Sequence, residues 1–264
     1  MPALRNISKR VIAVLSFFTR LPFWRLVVIE RHDYERVVPL WPLAGWVTGG
    51  TMAFVFWSAT QFGCPVTVSI MLALASRVLL TGALHEDGMA DFCDGFGGGN
   101  DRDSILRIMK DSHIGTYGVL GLLLYYLLLW NVLTALMQRD TSPLVFLLVD
   151  SLCKYLASTI IYFLPYARRE SESKNRYAYS AVPVAERVLS LLLGMFPLVL
   201  CVAVGWSSLP RWESWMSGLS ACAVLLFVLY RTMYRRIGGY TGDCCGATML
   251  LAELVFYLIL LIVP

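Results

Sequence analysis

The chain has 264 residues, of which 58% are hydrophobic and 15% charged, with a formal net charge of +4. Soluble globular domains carry roughly 25% charged residues, so composition excludes an ordinary soluble fold and indicates an integral membrane protein. The positive charge forms no basic face interleaved with aromatics, which speaks against nucleic acid as a partner.

Taken in order, residues 1–36 are basic. Arg5, Lys9 and Arg10 precede a short apolar run, 11–18, followed by Thr19-Arg20-Leu21-Pro22 rather than a small-residue cleavage site. A signal peptide is therefore not expected. The run is too short to span and reads as an N-terminal interfacial segment lying on the membrane. Apolar stretches about 20 residues long, enough to cross a hydrocarbon core of about 30 Å, follow at 37–62, 66–84, 118–137, 143–164, 188–206 and 215–230, and a last one runs to the C-terminus. Lipid offers no partner to an open sheet edge. The expected fold is thus all-α, a polytopic membrane helical bundle of about seven transmembrane helices, with 1–264 as a single domain. Gly45, Gly49 and Gly50 offer a close-packing face in the first span. The seven cysteines are odd in number, contain no CxxC pair and lie mostly in apolar runs, so they read as small apolar fillers.

Alternating loops can be tested by charge. Eighteen Lys/Arg fall on the side of the N-terminus and two, Arg139 and Arg211, on the other, while Arg77 and Lys154 lie within spans. By the positive-inside rule the N-terminal side faces the cytoplasm, which implies residence in the cytoplasmic (inner) membrane with the lipid bilayer as partner. A homo-oligomer is compatible with this pattern.

Residues 85–118, between the second and third stretches, hold seven of the 18 acidic residues: Glu86, Asp87, Asp91, Asp94, Asp101, Asp103 and Asp111. Carboxylates clustered at the end of a span repel one another unless a cation joins them. Asp87, Asp91 and Asp94 follow D-x3-D-x2-D, which on a helix places them within an arc of about 60°. One acidic face suits a hard cation such as Mg²⁺ bridging to a substrate phosphate. Gly88 is expected to admit a substrate to the backbone, and Gly95, Gly97, Gly98 and Gly99 to end the helix in a flexible turn able to hold phosphate oxygens. Asp101 or Asp103 then caps a short helix, 104–110. Arg107 and Lys110 stand ready to neutralise phosphate charge, and Asp111 follows as the candidate proton acceptor. His85, at the start of the stretch, is a candidate substrate contact.

A second motif, Gly238-Gly239-Tyr240-Thr241-Gly242-Asp243-Cys244-Cys245-Gly246, falls on the same side. Thr241 and Asp243 could complete a phosphate or metal site there. Glu253, ten residues on, lies inside an apolar span and must face the bundle interior. Lys154, Arg77 and Asp150 are its possible partners. Within the loop 165–187, residues 168–176 are mixed in charge; a solvated face is the favoured reading, and help in holding an anionic substrate is the alternative.

The motifs H-E-D-G-M-A-D-F-C-D-G (85–95), D-R-D-S-I-L-R-I-M-K-D-S-H-I-G-T-Y-G (101–118) and G-G-Y-T-G-D-C-C-G-A (238–247), with Glu253 beyond and L-S-F-F-T-R-L-P (15–22) before, resemble the cobalamin synthase family, the adenosylcobinamide-GDP ribazoletransferases. The resemblance runs over the whole chain. It departs at 168–180, where Arg169, Glu170 and Ser171 replace the glycines expected after the Ala-Arg pair. It implies a Mg²⁺-dependent transferase that joins adenosylcobinamide-GDP to α-ribazole, or its 5′-phosphate, and releases GMP. Catalytic roles would then fall to Asp111, Arg107 and Lys110. Substrate contacts would fall to His85, Thr241, Asp243 and Glu253, and the metal to Asp87, Asp91 and Asp94. Two rival readings are a transferase acting on CDP-activated lipids and a non-enzymatic transporter or scaffold. The first expects an Ala-Arg pair where Ala90-Asp91 stands, and the second gives the acidic cluster no task.

Overall fold

The computed structural model describes residues 2–25, 27–34, 37–168, 182–204 and 208–263. Among these the chain is helical with no strand; one isolated bridge joins Tyr166 to Tyr240. The α-helices are α1 (Pro2–Phe18), α2 (Trp41–Gln61), α3 (Val66–Thr81), α4 (Leu84–Gly98), α5 (Arg102–Ile108), α6 (Thr116–Met137), α7 (Leu144–Ser158), α8 (Ile160–Phe163), α9 (Val184–Ala203), α10 (Trp212–Ile237) and α11 (Gly242–Ile262).

Five segments are long and apolar enough to cross a membrane: α6, α7 with α8, α9, α10 and α11; the bent pair α3–α4 makes six if counted as one. The expected seven therefore exceeds the number that pass on length and composition. The shortfall is α2, which at 21 residues is long enough. Its tryptophans, glycines and threonines lower its hydropathy, and much of it packs among helices, while Phe54 and Trp57 near its end stay exposed. A Cβ at Gly45 would stand 2.6 Å from the Cα of Ser151, and one at Gly49 2.6 Å from the carbonyl oxygen of Phe146. The two glycines thus seat α2 against α7, as small residues do between membrane helices. Gly50 has open space around it and takes no part.

Burial sorts the remaining helices. In α7 and α11, 78% and 61% of the apolar window is buried, against 28% for α6 and 22% for α9 and for α10. The first two form the centre, and the last three present leucines, valines and phenylalanines outward. Two ionic networks cross that centre. Lys154 meets Asp150 at 2.5 Å and Thr48 at 3.1 Å, and the Thr48 hydroxyl also donates to Asp150. Arg77 of α3 pairs with Glu253 of α11, while the Tyr125 hydroxyl of α6 donates to the other Glu253 oxygen at 2.6 Å. All these charged side chains are fully buried. Charges removed from water persist only when paired in this way.

α1 begins earlier than the interfacial segment read from the sequence, and its far end belongs to the bundle. Ala13, Val14 and Phe18 are buried, and Phe18 stacks on Trp41 with centroids 5.0 Å apart.

The second apolar stretch ends early. α3 stops at Thr81, and α4 leaves it at 89°. Gly82 and Ala83 make the corner, both in the left-handed region, with φ of 68° and 60°. The physical reason is charge. α4 carries Glu86, Asp87, Asp91 and Asp94 in 15 residues, and such a segment is excluded from hydrocarbon. α4 turns away from the axis of α3 at the corner and packs against the starts of α6 and α11.

Candidate functional site

Three segments distant in sequence meet near Asp243. The first is α4. Its first turn is anchored inward by Glu86, which accepts the Tyr126 hydroxyl at 2.8 Å and lies 3.7 Å from Arg77. The second is the start of α11, which Thr241 caps by accepting the N–H of Cys244 at 3.4 Å. α4 and α11 touch backbone to backbone. A Cβ at Gly88 would stand 3.1 Å from the Cα of Asp243, and one at Gly246 3.0 Å from the carbonyl oxygen of His85. Gly88 thus admits α11. The result is a row of carboxylates formed by Asp87, Asp91 and Asp243.

The third segment is the short extended piece at Pro165–Arg168. α10 ends at Gly238, in the left-handed region at φ 73°. At Gly239 a Cβ would lie 2.1 Å from the Pro165 carbonyl oxygen, so only glycine fits. The Tyr240 N–H then donates to Pro165 at 3.0 Å and the Ala167 N–H to Tyr240 at 2.8 Å. Arg102 ties this piece to α5 by donating to the carbonyls of Ala167 at 2.6 Å and Ile237 at 3.1 Å. Arg168 is delivered to Asp243, 3.3 Å away.

Beyond Arg168 opens a cavity of about 670 Å³, lined by Arg102, Arg107, Lys110, Arg168, Asp103 and Asp111 together with Leu106 and Ala167. Four cations against two carboxylates give it a net positive lining. The carboxylate row and the basic cavity share a border at the Arg168–Asp243 pair.

Electrostatics separate the aspartates. Burial, with the charges of Asp243 and Asp87 close by, pushes Asp91 up to about 7. Asp94 points elsewhere. It is buried and accepts the N–H groups of Gly115 at 2.7 Å and Gly118 at 2.8 Å. It thus caps the start of α6, where a carboxylate also meets the positive end of the helix. The single acidic face read from D-x3-D-x2-D is divided, with Asp94 spent on α6. Asp111 sits at the cavity rim and bonds to His113 at 2.7 Å. That bond holds its carboxyl below the usual range, which makes it a weak proton acceptor.

The other expected residues fall as follows. Arg107 and Lys110 line the cavity. Thr241 is fully buried and donates to Asp243 at 3.1 Å, so it supports a carboxylate from behind. Glu253 lies deep in the bundle with both oxygens bonded, two turns and more from Asp243 along α11. His85 is buried against Trp41. The helix α4 runs on through Gly98. Gly95, Gly97 and Gly99 meet Met109, Tyr117 and Ile105 closely, so they are packing glycines and not the flexible phosphate turn expected. Asp101 caps α5 in a capping box with Ser104, as the sequence suggested. Of the mixed-charge loop, residues 169–181 lie outside the described residues, and the departure read at 168–180 falls almost wholly there. Arg102 and Arg168 were the residues least legible in the sequence. Each is one arginine among several in a polar segment, and only the bridge at Tyr240 brings them to the site.

The residues suit a magnesium ion in kind. Among the described residues no three Asp, Glu, His or Cys side chains converge closely enough to hold a metal unaided. Mg²⁺, however, is commonly held by one or two carboxylates together with water and substrate phosphates, and Asp87 and Asp243 offer two.

Comparison with known proteins shows the family. Residues 10–261 match the family model described as cobalamin-5-phosphate synthase. Relatives named adenosylcobinamide-GDP ribazoletransferase include that of Shewanella sp. (strain ANA-3), 35% identical over 96% of this chain and 93% of its own. Others are that of Shewanella frigidimarina, 35% identical over 94% and 92%, and that of Shewanella baltica (strain OS185), 36% identical over 96% and 93%. No solved structure matches. The chain is an all-α membrane transferase that belongs to the cobalamin-5-phosphate synthase family.

Proposed function

We propose that this chain joins adenosylcobinamide-GDP to α-ribazole, or its 5′-phosphate, in a Mg²⁺-dependent reaction at the cytoplasmic face of the inner membrane. A ribose hydroxyl oxygen of the acceptor forms a bond to the cobinamide-side phosphorus. The bond from that phosphorus to the bridging oxygen breaks, and GMP leaves with the oxygen. The observation that carries this reading is the shared border of carboxylate row and basic cavity at Asp243–Arg168. A pyrophosphate lying across that border meets both chemistries at once.

Within the row, burial raises the pKa of both Asp243, where the Arg168 charge and a hydrogen bond from Thr241 work against it, and Asp91, which reaches about 7. A metal-holding carboxylate must be ionised, whereas a proton acceptor works best with a pKa near the operating pH. Asp91, at about 7, suits the second task and takes the hydroxyl proton. Asp87 and Asp243 hold the cation. When bound, Mg²⁺ screens charge on the pyrophosphate and on departing GMP. Arg107, Lys110, Arg102 and Arg168 receive the nucleotide phosphates, with charge-assisted hydrogen bonds that strengthen as GMP gains charge.

The test uses purified protein in detergent with both substrates. Asp91→Asn is expected to lower kcat for GMP release by at least about 10² while the Mg²⁺ concentration for half-maximal rate stays within about twofold. Asp87→Asn is expected to raise that Mg²⁺ concentration by about tenfold or more, the effect of losing one carboxylate from a site with two. Full activity in Asp91→Asn would remove the proton-acceptor role.

A further inference from the structure

On the other side of the carboxylate row lies a second, smaller space. It is a slot of about 120 Å³ between the end of α1, the start of α2 and the first turns of α4 and α11. Phe17, Phe18, Trp41 and His85 form one aromatic wall, with Trp41 stacked between Phe18 and His85 at 5.0 and 5.5 Å. Asp87 and Asp243 also line it.

Two features point to a ligand. Among the described residues, both ring nitrogens of His85 and the indole N–H of Trp41 have no hydrogen-bond partner, although each residue is only 2% exposed. Buried polar atoms left so are uncommon and costly. The volume also restricts the occupant. At about 30 Å³ per water it holds about four waters, or one flat bicyclic ring. It has no room for a corrin, and among the described residues no cation lines it for a phosphate.

Displacement at phosphorus proceeds with the attacking and leaving oxygens roughly in line. The two groups therefore reach the carboxylates from different directions. The cavity with four cations suits the leaving nucleotide, and the aromatic slot, whose charged lining is the two carboxylates themselves, suits what brings the hydroxyl. We infer that the slot receives the heteroaromatic base of the acceptor nucleoside, packed against the Phe17–Phe18–Trp41–His85 wall and hydrogen-bonded by His85 and the Trp41 indole. His85 and Trp41 then select the acceptor. This assignment rests on the transferase reading above.

His85→Phe keeps a ring of similar size and removes both nitrogens. Trp41→Phe keeps the stack and removes the indole N–H. With purified protein in detergent, each is expected to raise KM for α-ribazole by about tenfold, the loss of a buried hydrogen bond, and to leave KM for adenosylcobinamide-GDP within about twofold. Equilibrium dialysis of labelled α-ribazole, without donor, is expected to show the same loss of affinity, and GMP is expected not to displace it. Retained GMP binding identifies a folded variant. A rise in donor KM instead, or displacement of α-ribazole by GMP, would assign the slot to guanine and overturn the inference. Unchanged acceptor KM and affinity in both variants would also overturn it. Wild-type protein that neither binds α-ribazole nor releases GMP would overturn the transferase reading itself.

Discussion

Asp91 and Asp94 stand three residues apart on α4 and have opposite surroundings. Asp94 accepts two backbone N–H groups at the start of α6. Asp91 faces two other carboxylates and keeps its proton to about pH 7. The consequence for stability has a definite sign. An aspartate in the unfolded chain titrates near 3.9, so between about 4 and 7 the folded state binds a proton that the unfolded state lacks. Stability contributed by this group is therefore lost as pH rises through that window. The melting temperature of metal-free protein in detergent is expected to fall between pH 5 and pH 8. Millimolar Mg²⁺ is expected to restore it at pH 8 and to do little at pH 5. In Asp91→Asn the pH-dependent part of the fall shrinks, and an unaltered profile in that variant would place the titrating group elsewhere.

At the scale of elements, what holds the site is the end-on contact of α4 with α11 and the ion pair beneath it. Arg77 reaches both Glu253 on α11 and Glu86 on α4. It therefore links the core of the bundle to the first turn of the site helix. Removing one partner of a buried pair costs about 3–5 kcal/mol, because the other charge is left without compensation. Glu253→Ala is expected to destabilise by about that amount. Glu253→Gln keeps hydrogen-bonding atoms and is expected to lower the melting temperature less, with KM for both substrates near that of wild type. A substrate KM raised by about tenfold in Glu253→Gln, at unchanged stability, would return this residue to the binding site that the sequence suggested.

For the whole molecule, the distribution of Lys and Arg orients the bundle. α6 separates α5 from the loop at Gln138, whatever the total number of spans. Asp103 and Gln138 are both exposed. With Cys64 replaced by serine, Asp103→Cys is expected to react with a membrane-impermeant maleimide only after the cells are opened, and Gln138→Cys to react in intact cells. The reverse pattern would place the carboxylate row outside. The cytoplasmic side suits the proposed chemistry, since nucleotide-activated substrates are made there.

Much of this was legible in the linear chain. Apolar run length and lipid's lack of hydrogen-bond partners are enough to imply an all-α membrane bundle. Charge asymmetry gives the expected orientation, and the acidic and glycine-rich motifs mark the family and the two main segments of the proposed site. Three things needed the tertiary structure. The corner at Gly82–Ala83 is one, because an apolar run does not show where a helix turns. The division of the aspartates is another. Helical spacing states which side chains share a face, whereas α6 and α11 decide what each one meets. The last is Arg168, carried to Asp243 by a backbone bridge between Tyr166 and Tyr240, 74 residues apart along the chain. Local pattern determines the elements, and side-chain roles depend on which elements pack together.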